Sequence, residues 1–144
     1  MPMEAVAAPL SFDAIGEKDL AAFHRQREKI LTAFIDRIAV APAFADVAAD
    51  AEKTRIAQET GKIFIENFYA TAKYRLPAAI VEYLDWLRGY LGSRSFPEDF
   101  IPGMFSAIRH ATHAFLDDGS SDDIAAALRQ LELREKGILQ GDAA

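Results

Sequence analysis

The 144-residue chain contains no cysteine. That single absence excludes disulfides, thiolate metal sites, thiol nucleophiles and thioether attachment of a haem or bilin. Histidine is almost as scarce, limited to His24, His110 and His113. Positive charge is in deficit: 16 Lys and Arg against 22 Asp and Glu leave a net charge of −6, and the basic residues are dispersed. Nucleic-acid binding needs a basic surface facing phosphates, so no such partner is expected. No apolar run reaches the ~18–20 residues of a membrane span. No basic segment followed by an apolar one opens the chain, so no signal peptide is expected and the cytoplasm is the expected compartment. Gly-rich phosphate loops are missing, and so are the Glu-x-x-His pairs of a di-iron bundle. The serines at 11, 93, 95, 106, 120 and 121 lack a nucleophile-elbow setting. A non-enzymatic protein is therefore expected.

What is present is helical periodicity in a chain that is 51% apolar. Residues 77–117 carry it most clearly. Ile80, Leu84, Leu87 and Leu91 recur at i, i+4, i+7 and i+11, with Val81 and Trp86 widening the stripe. Pro77 suits a first helical turn, where its missing N–H has no partner to lose. Gly92 and Ser93 are the expected stop. After Phe96-Pro97, the acidic Glu98 and Asp99 favour the positive end of a second helix. There Ile101, Phe105, Ile108, Thr112 and Phe115 share a face, and Pro102 should lie in the first turn.

Elsewhere the pattern predicts one helix over about 17–40, through Leu20, Phe23, Arg27, Ile30, Leu31, Phe34 and Ile38, ended by Pro42. A short helical corner follows at 43–50. A long helix over 51–75 carries Ile56, Ile63, Phe64, Ile65, Phe68 and Tyr69 and should be central. Ser121, trailed by Asp122 and Asp123, marks the start of a last helix over 121–138. Residues 1–16 read as a flexible arm with Leu10, Phe12 and Ile15 touching the body, and 17–140 as a single helical domain. The expected fold is all-α, five main helices plus a short one in globin-like order, with an orthogonal bundle as the alternative.

Three clusters could carry chemistry. Tyr83, Trp86 and Tyr90, taken with Phe64 and Phe68, have the make-up of an apolar ligand pocket with a few hydroxyls. The simpler reading is an aromatic core edge. Arg75 and Arg88, with Lys73 and Arg94 nearby, could receive a carboxylate, or could be solvated charges near helix ends. Asp85 and Arg88 at i, i+3 suggest a surface ion pair. His110, His113 and Asp117, at i, i+3 and i+7, have a spacing that a metal can use, although a polar outer face explains them more simply. A haem needs an axial ligand, and the helix over 77–92 offers no His, Cys or Met. No cofactor is expected.

The stretch from Ala79 to Gly119, AIVEYLDWLRGYLGSRSFPEDFIPGMFSAIRHATHAFLDDG, joins a Tyr-Leu-x-Trp-Leu helix to a Phe-Pro corner and a helix ending at an acidic turn. It resembles the non-haem globin-like bacterial sensor domains, of the stressosome N-terminal and sporulation-inhibitor type. It is also similar to the helical module that precedes cobalamin-binding sensor domains. The resemblance implies a signalling homodimer formed by the outer faces of the last two helices. It also implies a small apolar or carboxylate ligand between the central helices and a downstream signalling protein. The cobalamin branch has an acidic-His or Asn-His pair after its tryptophan, and none follows Trp86. The alternatives are a ligand-free interaction module, or a globin-like protein that binds haem, cobalamin or a metal.

Overall fold

The structure is a computed structural model, and it describes residues 10–141. They are all-α. Seven α-helices and a 3-10 turn at Pro42–Phe44 follow one another, with no strand among the described residues. The helices are α1 (Glu17–Arg25), α2 (Arg27–Val40), α3 (Ala45–Ala48), α4 (Ala51–Lys73), α5 (Pro77–Gly92), α6 (Phe100–Phe115) and α7 (Asp118–Gly141). Among the described residues no helix is long and apolar enough to cross a membrane.

The helix expected over 17–40 is two helices that meet at Gln26. No Gly or Pro marks the break. Arg27 holds it by donating from Nη1 to the His24 carbonyl at 2.8 Å. The inner face runs through both pieces, burying Leu20, Phe23, Ile30, Phe34 and Ile38. Helix α4 opens on Asp50, whose Oδ1 accepts from the N–H groups of Glu52 and Lys53 at 2.9 and 3.0 Å. That cap satisfies two of the donors a helix start leaves free.

Both α4 and α5 end in a left-handed residue that is not glycine. Arg75 has φ 55° and Ser95 has φ 64°. After α4, the Leu76 N–H reaches the Thr71 carbonyl at 2.8 Å and the Arg75 N–H reaches Ala72 at 3.2 Å. After α5, Phe96 bonds Leu91 and Ser95 bonds Gly92, each at 3.1 Å. This is the paired closure of a Schellman motif. The expected stop at Gly92-Ser93 is thus displaced to Ser95, and no glycine has positive φ among the described residues. Helix α7 also starts earlier than expected. Ser121 lies inside it, buried, with its Oγ donating to the Asp118 carbonyl at 3.2 Å.

The core is aromatic. Phe68 meets Phe12 and Phe23 edge-on at 5.8 and 5.5 Å, and Phe64 meets Phe105 at 5.1 Å. Phe44 joins Phe34 and Phe100 at 5.9 and 5.6 Å, and Phe96 closes on Phe100 at 5.0 Å. Edge-to-face packing suits the charge distribution of the rings and fixes their orientation. Helix α6, packed between α2 and α7, buries nine of its 16 residues, including Pro102 in its first turn. Helix α4 packs against α1, α2, α3 and α5, central as its pattern suggests, although Ile63 is exposed. Of the expected arm, residues 1–9 lie outside the described residues. Phe12 and Ile15 are core residues, and Arg75 pins the segment by donating to the Phe12 carbonyl at 2.9 Å.

Candidate functional site

Helix α5 presents three different faces. Ile80, Leu84, Leu87 and Leu91 are buried, as their spacing requires. A second face carries Asp85 and Arg88 toward α7. Arg88 donates to Glu135 through Nε at 2.6 Å and Nη2 at 3.0 Å, and to Asp85 at 3.0 Å. Arg134 lies 3.7 Å from Asp85. The Glu135 hydrogen bonds hold the Arg88 guanidinium in its charged form more firmly than usual. The Asp85–Arg88 pair is present as expected, but it belongs to an interhelical cluster.

The third face is an open aromatic stripe. Tyr83, Trp86, Tyr90 and Arg94 follow at i, i+3, i+7 and i+11. The indole of Trp86 stacks on Tyr90 at 4.9 Å and 21°, and leans toward Tyr83 at 6.1 Å. The Arg94 guanidinium sits 3.8 Å above the Tyr90 ring, a cation–π contact. Trp86 is 59% exposed. Tyr83 lies half-buried, and burial pushes its hydroxyl up to about 12. The turn after α5 is tied to α4 by Lys53, which donates to the Ser95 carbonyl at 3.1 Å.

The structure therefore does not bring the five expected pocket residues together. Phe64 and Phe68 are fully buried in the core. Tyr83 and Tyr90 are partly buried and pack against the edge of that core, and Trp86 alone of the three is exposed, because the stripe is rotated off the Leu84 face. Trp86 does not widen the buried stripe, as its apolar character suggested. Nor do Arg75 and Arg88 form an anion site. Arg75 holds the Phe12 carbonyl and lies 3.6 Å from Asp13, while Arg88 is committed to Glu135 and Asp85.

His110 and His113 are exposed on α6. Partial desolvation of the ring, with the positive charges of Arg37 and Arg109, lowers the affinity of His110 for a proton. His113 Nδ1 lies 3.1 Å from the Ser121 hydroxyl. Among the described residues no group of three His, Cys, Asp or Glu side chains is placed to hold a metal ion.

Two features were missed in the sequence. One is a half-open groove of about 460 Å³ between α2 and α4, edged by Arg27, Glu28, Thr32, Lys62 and Glu66. It adjoins the stacked rings of His24 and Tyr69, 4.2 Å apart. The other is the buried acidic pair on α7, Glu132 and Glu135. Glu132 accepts from Arg109 of α6 and lies 2.9 Å from Lys136 Nζ. A signal for the pair was available: Leu128, Leu131 and Glu135 share one helical stripe at i, i+3 and i+7. No protein family, curated protein or solved structure matches the chain.

Proposed function

We propose that the chain is a non-enzymatic regulatory module that works by protein–protein contact, with the outer face of α5 as its recognition element. The observation that carries this reading is Trp86, 59% exposed, stacked on Tyr90 and tilted toward Tyr83. An indole this exposed, beside two half-buried tyrosines, sacrifices apolar burial unless a partner covers it. Aromatic residues and arginine also dominate the energetic centres of interfaces. Phe64 and Phe68 are fully buried with their rings 6.0 Å apart, which supports a ligand-free module over a sensor with a ligand between them. Signalling, as the resemblance implies, and the cytoplasmic compartment expected from the sequence belong to the same proposal.

Trp86 is the only tryptophan of the chain, so its fluorescence reports on this face alone. Emission at low protein concentration should be that of a water-exposed indole and should shift to the blue when a partner binds. Native mass spectrometry of the freshly purified protein should show the bare chain. A retained small molecule whose removal loosens the Phe64–Phe105 core would overturn the reading.

One observation favours a second reading. The α2–α4 groove brings Arg27 and Lys62 near Glu28 and Glu66, charges of both signs that suit a small zwitterionic ligand. Thermal-shift screening with such compounds tests it, and Lys62→Ala should cancel any hit.

A further inference from the structure

We propose that the partner covering α5 is a second copy of the same chain, with the two α5 helices lying antiparallel. The inference rests on the reading of α5 as the recognition face and names its occupant. It follows from a self-complementary order of side chains. Glu82 and Arg94 flank the stripe, and Trp86 and Tyr90 lie between them. Both pairs have the same midpoint, position 88. A two-fold axis crossing α5 there sets Glu82 opposite the partner's Arg94 and Trp86 opposite the partner's Tyr90, twice each by symmetry. Glu82 and Arg94 then sit about 9 Å to either side of the axis at 1.5 Å per residue.

The charges are available for this. Glu82 and Arg94 are both exposed, and among the described residues neither forms an ion pair. Arg94 is already held flat on Tyr90, so it loses less freedom on meeting a carboxylate. Next to the axis stands Gly89, where an added Cβ would meet nothing within 4 Å. Its missing side chain lets two helices approach closely.

The last two helices are poorer candidates for a dimer face. Helix α6 buries its apolar side against α2 and α7, and α7 buries its own against α1 and α6. That leaves Phe115 and Leu133 as their only large exposed apolar side chains among the described residues. On α5 itself Trp86 is exposed, and Ile63 on α4 and Tyr74 and Leu76 at the α4–α5 corner are exposed as well.

Sedimentation equilibrium of the whole chain, together with Trp86 emission over a dilution series, tests the proposal. The expected mass is twice 15.9 kDa, with a blue-shifted emission that relaxes on dilution. Glu82→Arg or Arg94→Glu alone should weaken self-association at least about tenfold, because each sets like charges opposite each other twice. An equimolar mixture of the two variants should recover it. In the mixed dimer every arginine at one of these positions faces a glutamate at the other. Circular dichroism checks folding, and Trp86→Ala supplies an independent variant at an exposed position. A chain that stays monomeric at every concentration would overturn the second-copy proposal while leaving α5 as a face for a different protein. A dimer that ignores both charge reversals and Trp86→Ala would overturn the α5 pairing itself. Separately, an indole that remains water-exposed both in the dimer and with every added partner would sink the recognition-face reading.

Discussion

Arg88 of α5 and Glu135 of α7 form a two-point hydrogen-bonded ion pair, at 2.6 and 3.0 Å, with the Glu135 side chain 1% exposed. These residues lie 47 positions apart in sequence. Little else of α5 packs against α7, so the pair fixes how the two helices sit together.

Breaking that pair from one side should be costly. Arg88→Ala leaves a buried carboxylate without its partner, at an expected cost of about 3–5 kcal/mol. Urea unfolding of Arg88→Ala, Glu135→Ala and the double variant Arg88→Met/Glu135→Leu measures it. The double variant should be more stable than either single one, because no charge is left stranded. Additive losses would show that the two side chains act separately.

Glu132 gives the pH dependence at the acid end. Burial raises its affinity for a proton, but hydrogen bonds from Lys136 and Arg109 outweigh burial and hold the carboxyl below its usual range. The folded-state value is depressed, so the stability it brings is present above the unfolded value of about 4.3 and is lost as pH falls through the folded one. Urea midpoints at neutral pH and across the acid range should therefore fall less steeply for Glu132→Gln than for the wild type. Equal slopes would remove Glu132 from the acid response.

Tyr83 acts at the opposite end. Burial pushes its hydroxyl up to about 12. A raised folded value means that the stabilisation is complete below the unfolded value of about 10 and disappears between there and the folded value. Absorbance titration at alkaline pH should show one late-titrating tyrosine, absent from Tyr83→Phe. A late phase that survives the substitution would assign it to another ring.

The periodic parts of this fold were legible in the sequence. The stripe Ile80–Leu84–Leu87–Leu91 is buried as its spacing requires, and Pro102 sits in the first turn of α6. The boundaries were not legible. Gln26 breaks a helix without Gly or Pro, and Ser95 ends one where Gly92 was the obvious candidate. Each boundary carries a side-chain bond that no periodicity reveals: a local one from Arg27 to the His24 carbonyl, and a long-range one from Lys53 to the Ser95 carbonyl. The candidate site failed for a related reason. Trp86 counts as core by composition, yet a rotation of one residue along the helix places it outside. Only the packing of α5 on α4 and the core decides which of two adjacent apolar stripes is covered.

Ser95 should be improvable. A left-handed conformation is strained for any side chain that carries a Cβ, and glycine relieves it. Ser95→Gly is expected to stabilise the protein by about 1 kcal/mol, and Ser95→Val to destabilise it. Arg75 shares the geometry but also holds the Phe12 carbonyl, so Arg75→Gly should gain less or lose. Thermal unfolding of the three variants ranks them. A Ser95→Gly variant no more stable than the wild type would mean the turn is held open by Lys53 regardless of strain.

Gly61 should be less replaceable than Gly16, Gly89, Gly92, Gly103, Gly119 or Gly137. A Cβ there would fall 2.5 Å from both Cδ2 and Cε2 of Phe34. That ring cannot swing away, because Phe44 and Phe100 pack against it at 5.9 and 6.4 Å. Alanine favours a helix over glycine by up to ~1 kcal/mol, but overpacking a fixed core costs about 1–3 kcal/mol. The steric cost should win, and Gly61→Ala should lower the urea midpoint. Gly137→Ala is the matched control: an added Cβ on α7 meets nothing within 4 Å, so only the propensity gain remains and the midpoint should rise. A stabilising Gly61→Ala would show that α2 and α4 can part by the width of a methyl group. The α2–α4 groove would then be an adjustable cleft, and ligand screening there would take precedence over the α5 face.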